Sequence, residues 1–438
     1  MRSTLFYIPH AWGPLPLLGL GWLLLVLVVA FAVKVGYVRY RTGSWARATA
    51  DWVGWLIALV AIVFLLPRME TSFTDGAGNT YPVGLPVRGY GLFLMLGVLA
   101  AVWLTLVRST KVGLDLDGLL SLSVFTVIGG ILGARLFFVI QKWSELPGET
   151  VFMKLWEAVK FTEGGLVVFG SFIGGALAVI WWARRRRYRL LVMGDLIVPG
   201  LMLGLCLGRL GCFMNGCCYA GVCEGPWPKV RFPRGSLAYM EQLQAGPLLG
   251  LEWRGEPDSP AGAEVLAVRP GSWAASTGVK VGDRIRGWKL WTMPPARGTD
   301  PAGPSEVYGQ LTIAGQTYLL NPELPRHSLP VHPIQLYASL NAGLIAAFLF
   351  FLWPNVARDG LVLGAWLVMC GTSRMLEEWI RIDEIGQFGT SLTISQWISL
   401  LGMAGGLMVL GYCWQRPPSR ASLLGKSRLS EQAEPKLA

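Results

Sequence analysis

Long apolar runs separated by short basic loops dominate this chain. Runs of about 17–25 apolar residues have the length a helix needs to cross hydrocarbon. They fall near 14–36, 52–67, 90–107, 118–140, 164–183, 191–212, 334–353, 360–379 and 391–414, which predicts about nine transmembrane helices. Lys34, Arg39, Arg41 and Arg47 follow the first run, and Arg108 and Lys111 the third. Arg184, Arg185, Arg186, Arg187 and Arg189 follow the fifth, Arg358 the seventh, and Arg416, Arg420, Lys426 and Arg428 the ninth. The positive-inside rule then puts the end of every odd-numbered helix in the cytoplasm, with the N-terminus outside and the C-terminus inside. No small-residue cleavage site follows the first run, so it is expected to be a retained helix. Residues 75–87, 141–163, 216–331 and 381–389 are expected on the outer side.

The longest outer segment has its own pattern. Val265 to Val268 predicts a short strand, and Pro270-Gly271 a turn. Ser272 can cap a short helix over Ala274 and Ala275, with Gly278 at its C-terminal stop. Gly282-Asp283 is a second turn before another strand. Over residues 247–322 this resembles the bacterial type of PDZ domain, most specifically over 264–285. The resemblance implies that Leu249, Gly250 and Leu251 form a carboxylate-binding loop that takes a peptide end as an added strand. The other reading is a small β-rich insertion that only packs on the membrane part. The polar tail after Pro418 is expected to be disordered.

Composition sharpens the class. The 438 residues are 53% hydrophobic and 15% charged, with a mean hydropathy of +0.47, where soluble domains carry about 25% charged residues. The net charge of +11 would suggest nucleic acid in a soluble protein, but here the basic residues sit in short loops between spans, so no nucleic-acid partner is expected. Of seven cysteines, Cys206, Cys370 and Cys413 lie in apolar runs and read as packing residues, while Cys212, Cys217, Cys218 and Cys223 crowd one stretch.

That stretch, Gly208-Arg209-Leu210-Gly211-Cys212-Phe213-Met214-Asn215-Gly216-Cys217-Cys218-Tyr219, ends the sixth apolar run. A charge in hydrocarbon costs about 2.5–3.5 kcal/mol even on insertion scales, so Arg209 needs a polar partner. Polar groups recur on other apolar helices. Arg88-Gly89-Tyr90-Gly91 opens the third, and Gly133-Ala134-Arg135 lies within the fourth. Arg374, Glu378 and Arg381 share one helix face at i, i+4 and i+7, either as a structural ion network or with one guanidinium left for a phosphate. Glu377 lies about 100° away and is the weaker carboxylate. His332-Pro333-Ile334-Gln335-Leu336-Tyr337 enters the seventh helix. Several arginines with a His, a Tyr and an Asn suggest a site for an anionic lipid headgroup.

These pieces resemble the prolipoprotein diacylglyceryl transferase family. The matching motifs are Arg88-Gly89-Tyr90-Gly91-Leu92, Gly133-Ala134-Arg135, Glu163-Gly164-Gly165 with Gly170 and Ile173-Gly174, Gly208-Arg209-Leu210-Gly211 with Asn215-Gly216, the segment Leu329 to Tyr337, and Arg374 with Glu378, Arg381 and Ser395-Gln396. The implied architecture is an all-α polytopic membrane protein with seven core helices. Residues 1–79 add two N-terminal helices, 80–245 and 324–415 form the core, 246–323 the PDZ-like extracytoplasmic insertion, and 416–438 the cytoplasmic tail.

The resemblance implies transfer of the diacylglyceryl group of phosphatidylglycerol to the lipobox cysteine of an exported prolipoprotein. The reaction would run at the outer leaflet of a bacterial inner membrane and form a thioether without a cofactor. It implies that Arg209 and Arg374 neutralise the phosphate, and that Tyr90 and Asn215 position headgroup and acceptor. Lipid contacts would come from Arg88, Arg135, Gln335, Tyr337, Arg381, Gly208, Gly211 and Gly216. His332 is the expected proton acceptor and Glu378 its alternative.

The chain departs from the family at Phe169, where a histidine is usual, and at Cys212 and Cys217, where asparagine and glutamate are usual. A disulfide of Cys212 or Cys217 with Cys223, or buried thiols, is the expectation. With no histidine nearby in sequence, no metal is expected. Two other functions remain open at this point: a non-catalytic receptor or scaffold acting through the insertion, and a thiol-redox membrane protein.

Overall fold

In the computed structural model, residues 4–45, 49, 52–74, 80–143, 146, 150–159, 165, 167–223, 225–257, 259, 262–293, 306–320, 324–356, 358–379 and 389–417 are described. Arg381, the pair Glu163-Gly164 and the tail from Pro418 lie outside them, as does the side chain of Phe169. The chain divides into two compact units, residues 1–93 with 210–335 and residues 94–209 with 336–438. All three boundaries fall inside helices.

Helices form where the apolar runs lie, because backbone groups in hydrocarbon must be satisfied within the segment. Six are long and apolar enough to cross a membrane: Trp22–Thr42, Gly89–Ser109, Leu116–Gln141, Leu190–Asn215, Ile334–Asn355 and Ile394–Trp414. Three more occupy the remaining runs. These are Trp52–Val60, continued by a π turn to Arg68, then Val168–Arg185 and Leu361–Glu378. The chain is therefore a mostly helical, multi-pass membrane protein. The Trp22–Thr42 helix buries none of its residues, as a helix facing lipid would.

The unit of residues 94–209 and 336–438 is helical and held by close backbone approach. A Cβ on Gly133 would meet Gly170 O at 2.4 Å, and one on Gly174 would meet Gly129 O at 2.2 Å, so Leu116–Gln141 and Val168–Arg185 touch through glycine. Gly364, Gly371 and Gly406 do the same for Leu361–Glu378 and Ile394–Trp414. Without a hydrophobic force between helices in lipid, such small-residue contacts supply the packing. Polar devices fix the ends. Thr393 and Gln396 form a capping box on the last helix. Gly360 offers no capping side chain to the Leu361–Glu378 helix. The buried Asp195 carboxylate takes that role and accepts from Gly360 N at 2.6 Å and Leu363 N at 2.7 Å.

The other unit carries the β structure. Strand β1 (Thr4–Pro9) precedes a small hairpin of β2 (Ala11–Trp12) and β3 (Leu15–Pro16). β1 pairs antiparallel with β5 (Thr80–Arg88), which also pairs with β4 (Thr71–Thr74), in the order β1-β5-β4. The apolar-run pattern does not reveal this sheet, because six residues ahead of the first span carry too little periodicity.

The insertion is a five-stranded antiparallel sheet in the order β10-β9-β8-β7-β6, from β6 (Leu251–Arg254), β7 (Ala263–Val268), β8 (Arg284–Met293), β9 (Glu306–Ile313) and β10 (Gln316–Leu319). Buried and open positions alternate along β9, with Val307, Leu311 and Ile313 inside. The sequence locates the linking elements well: Ser272 caps Trp273–Ser276 by accepting from Ala275 N, and the left-handed Gly278 and Gly282 follow. The insertion's core also takes in Tyr239 and Leu243 of the Leu237–Gln244 helix. Burial holds the Tyr239 phenol above its ordinary pKa, and its hydroxyl donates to Pro325 O at 2.9 Å.

Substituting Gly174 by valine should destabilise the protein by about 1–3 kcal/mol through overpacking. The melting temperature in detergent should fall accordingly, while valine at Gly402, whose Cβ would meet nothing within 4 Å, should leave it unchanged.

Candidate functional site

The Leu190–Asn215 helix carries the stretch that sequence reading singles out. It ends at Asn215 because Gly216 takes a left-handed φ of 71° and Cys217 N turns back to Cys212 O at 3.2 Å. A Cβ on Gly216 would also press on Phe232 and Ser236 at 3.2 Å. Cys218 follows at φ 56°, a left-handed conformation uncommon for a residue with a side chain. The turn is pinned from Ile334–Leu352, where the fully buried Gln335 donates Nε2 to Cys217 O at 2.7 Å. Its Oε1 is buried with no partner among the described residues.

This turn gathers the cysteines. The Sγ atoms of Cys212, Cys217 and Cys218 lie within 4.8 Å of one another, the first two half-buried and the third exposed. Cys217 Sγ donates to Cys212 O at 3.6 Å. Its thiol is held above the ordinary pKa: hydrogen bonding with Cys212 draws it down, but hydrogen bonding with Cys218 and burial outweigh that. All seven cysteines are free, and Cys223 is buried outside the trio, so the expected disulfide with Cys223 is not formed. The trio is also the group of ligand-bearing side chains, among the described residues, that could hold a metal ion.

Other expected residues in the same unit are placed as follows. Arg88 ends β5 and is exposed, as is Tyr90, the second residue of the Gly89–Ser109 helix. Gly211 lets that helix approach, since its Cβ would meet Tyr90 O and Phe93 Cβ at 3.2 Å. His332 is half-buried, and its ring has no partner among the described residues. The loop expected to bind a peptide carboxylate is occupied by itself. The amides of Leu249, Gly250 and Leu251 donate to Gly246 O, Pro247 O and Gly246 O, and the leucine side chains are in the core. No amide of the loop is left for a carboxylate.

The helical unit holds the arginines. Arg135 is buried, and its Nε and NH2 donate to Ala158 O and Glu157 O, both at 2.8 Å, with NH1 reaching Gly165 O at 3.2 Å. Ala158 and Glu157 end the Val151–Val159 helix, so the guanidinium satisfies terminal carbonyls at the negative end of a helix. The ring of Phe138 lies 5.2 Å from Arg135. Arg135 therefore clamps protein backbone at the end of that helix.

Arg374 is likewise engaged. It pairs with Glu378 at 3.0 Å and Glu377 at 3.8 Å and donates to Ser395 Oγ at 3.1 Å. Glu378 also accepts from Thr393 Oγ1 at 3.1 Å. Glu377, the weaker carboxylate by helix angle, thus joins the network through the length of the arginine side chain. Tyr337 is half-buried two residues after Gln335. Arg209 differs from both arginines. Its Nε is buried, and among the described residues it has no acceptor and no counter-ion. A Cβ on Gly208 beside it would meet nothing within 4 Å. An unpartnered guanidinium next to open space fits an anion.

A multi-pass helical membrane protein whose Arg209 keeps a buried Nε without an acceptor among the described residues offers an anion a place on a membrane helix. The comparisons with known proteins narrow this. The prolipoprotein diacylglyceryl transferase family matches residues 80–412. A phosphatidylglycerol–prolipoprotein diacylglyceryl transferase of Rhodopirellula baltica is 35% identical over 95% of this chain and 90% of its own length. Proteins of the same name from Clostridium tetani and Bdellovibrio bacteriovorus are 26% and 24% identical, over 74% and 76% of this chain and 93% and 90% of theirs. The chain belongs to the prolipoprotein diacylglyceryl transferase family.

Lysine at Arg135 cannot make three divergent bonds. Arg135→Lys should lower the melting temperature, with a loss of about 3–5 kcal/mol expected for a broken buried charge network. If Arg135 acts only as a clamp, the KM for lipid in the surviving folded fraction should match the parent's.

Proposed function

We propose that this protein is an enzyme that transfers the diacylglyceryl group of phosphatidylglycerol to the cysteine thiol of a prolipoprotein. A thioether forms and glycerol phosphate leaves. Family membership over most of the chain supports the activity, and the names of its relatives supply both substrates. The observation that carries the site is the half-buried Arg209, whose buried Nε has no acceptor among the described residues, beside the open Gly208. It is suited to hold the phosphate of the donor and to stabilise the charge that grows on it as the ester bond breaks.

In this reading Arg374 acts within its carboxylate and serine network and positions the helix end, with its charge partly neutralised by Glu377 and Glu378. Glu378, held in that pair, is a poorer proton acceptor than His332, whose ring is unengaged. Tyr90, whose backbone meets Gly211, and Asn215, one turn further along the Gly211 helix, orient headgroup and acceptor in this reading.

We assign nine transmembrane segments, counting the three shorter apolar helices. The positive-inside pattern supports an outer N-terminus, a cytoplasmic C-terminus and chemistry at the outer face of the plasma membrane. Residues 246–323 are then an extracytoplasmic insertion between 80–245 and 324–415. It packs on the Leu237–Gln244 helix and has no vacant carboxylate loop at Leu249 to Leu251. A receptor or scaffold role therefore has no observation in its favour.

Purified protein incubated with labelled phosphatidylglycerol and a lipobox peptide should yield lipidated peptide. Arg209→Ala should lower the rate about 100- to 1,000-fold, the range for removing one donor to a developing anion. Arg209→Lys should keep part of the rate. Transfer by Arg209→Ala at the parental rate would remove the arginine from the site, and no transfer by the folded parent would remove the activity.

A further inference from the structure

We infer that Cys212, Cys217 and Cys218 form a three-thiolate zinc site whose fourth position takes the acceptor thiol. The inference rests on the transferase reading above. Three observations carry it. The three Sγ atoms lie within 4.8 Å of one another, although the residues come from a helix, its terminal turn and the loop beyond. A tetrahedral zinc with Zn–S bonds of about 2.3 Å needs sulfurs roughly 3.8 Å apart, a closure that side-chain rotation supplies. The turn is held in the convergent shape at some cost. Cys218 sits at φ 56°, and Gln335 fixes the carbonyl of Cys217 from another helix. Finally, none of the three sits in a disulfide and Cys218 is exposed, so the trio has an open side.

The donor set selects the ion and its task. Three sulfurs without imidazole or carboxylate suit a soft or borderline cation. Three protein ligands with a vacant position are the pattern of a working zinc rather than a structural one. The reaction needs an acceptor thiolate, because the neutral thiol is a poor nucleophile. A thiol that binds zinc loses its proton outright. Three thiolate ligands also leave the zinc site with net negative charge, which keeps a fourth bound thiolate electron-rich. Phe169 stands where the resemblance leads one to expect a histidine, so this chain has a specific need for another way to make a thiolate.

The step balances. The acceptor thiol binds zinc, and its proton passes to the His332 acceptor of the reading above and from there to solvent. The thiolate sulfur attacks the glyceryl carbon that bears the phosphate ester. A C–S bond forms as the C–O bond breaks, and the bonding pair leaves on oxygen. One thiolate and one phosphodiester monoanion become a neutral thioether and a phosphate monoester dianion. The thioether is a weak zinc ligand and dissociates, which reopens the position.

Two measurements on the full-length protein in detergent test this, one of them independent of turnover. Protein purified without chelator should carry one zinc per chain by elemental analysis. Cys212→Ser, Cys217→Ser and Cys218→Ser should each lose it, and Cys212→Asn with Cys217→Glu provides a second variant built from residues usual in the family. Cobalt(II)-substituted protein should show a thiolate charge-transfer band that grows on adding a lipobox peptide and not its Cys→Ser counterpart. Chelation should lower transfer at least about 100-fold, the size of an acid–base contribution, with zinc restoring it.

Zinc that stays in the serine variants, copper in its place with no open position, or transfer unaffected by chelation would each overturn the inference and leave the transferase reading standing. A cobalt band that answers the thiol peptide in a protein with no transfer would do the reverse.

Discussion

Polar groups inside a membrane helix need partners from the protein itself, and this constraint organises the helical unit. Asp195, Arg135 and Arg374 are each buried or half-buried in or beside apolar helices. Each ends on backbone or opposite charge: Asp195 on two amides of the next helix start, Arg135 on three carbonyls, Arg374 on two carboxylates and a serine. The bonds of Asp195 and Arg135, and that of Arg374 to Ser395, join different helices, so each compensates a polar group and fixes a helix end at once. Truncating one partner of such a pair leaves the other stranded, which costs more than the pair itself contributes. Arg209 stands out against this background, because the same constraint makes an unpartnered Nε expensive unless a ligand answers it.

The sequence makes much of this legible, for a plain physical reason. Spans are set by length and hydropathy, and six of the expected runs carry helices long and apolar enough to cross a membrane. Cap residues are equally local: Ser272 caps its helix because hydroxyl and amide are three residues apart. Partner identity is different. The spacing of Arg374, Glu378 and Arg381 suggests one face, yet Glu377 also reaches Arg374, since a flexible side chain spans more angle than helix geometry alone allows. Asp195 gives only the bare signal of an acid in an apolar run, and the amides it caps lie 165 and 168 residues away. The β1–β5 pairing likewise joins segments about eighty residues apart and has no local signature.

The glycine motifs show how one residue pattern serves two ends. Gly133, Gly170 and Gly174 belong to motifs by which the family is recognised, yet in the structure they let two helices touch backbone to backbone. Arg135, next to this contact, clamps the end of a short helix and Gly165 O. A Cβ on Gly165 would meet Arg135 NH1 at 2.7 Å, so the glycine is required by the arginine. Motifs of this kind mark architecture that any chemistry at the site depends on, without touching a substrate.

The turn after Asn215 reverses that relation. Nothing in helix packing requires three thiols there, and a left-handed Cys218 is a poorer choice than glycine or asparagine on backbone grounds alone. Gln335 nevertheless holds the turn in place through a buried amide hydrogen bond. Sulfur chemistry at these positions is a more direct account of the strain than stability, because the strained residue is exposed and adds little burial. The same helix carries Arg209, whose buried Nε has no acceptor among the described residues, a single turn before Cys212. In the proposed reaction, that helix and its terminal turn supply a cation for a phosphate and sulfurs for a thiol-directed ion, the two demands of moving a glyceryl group from oxygen to sulfur.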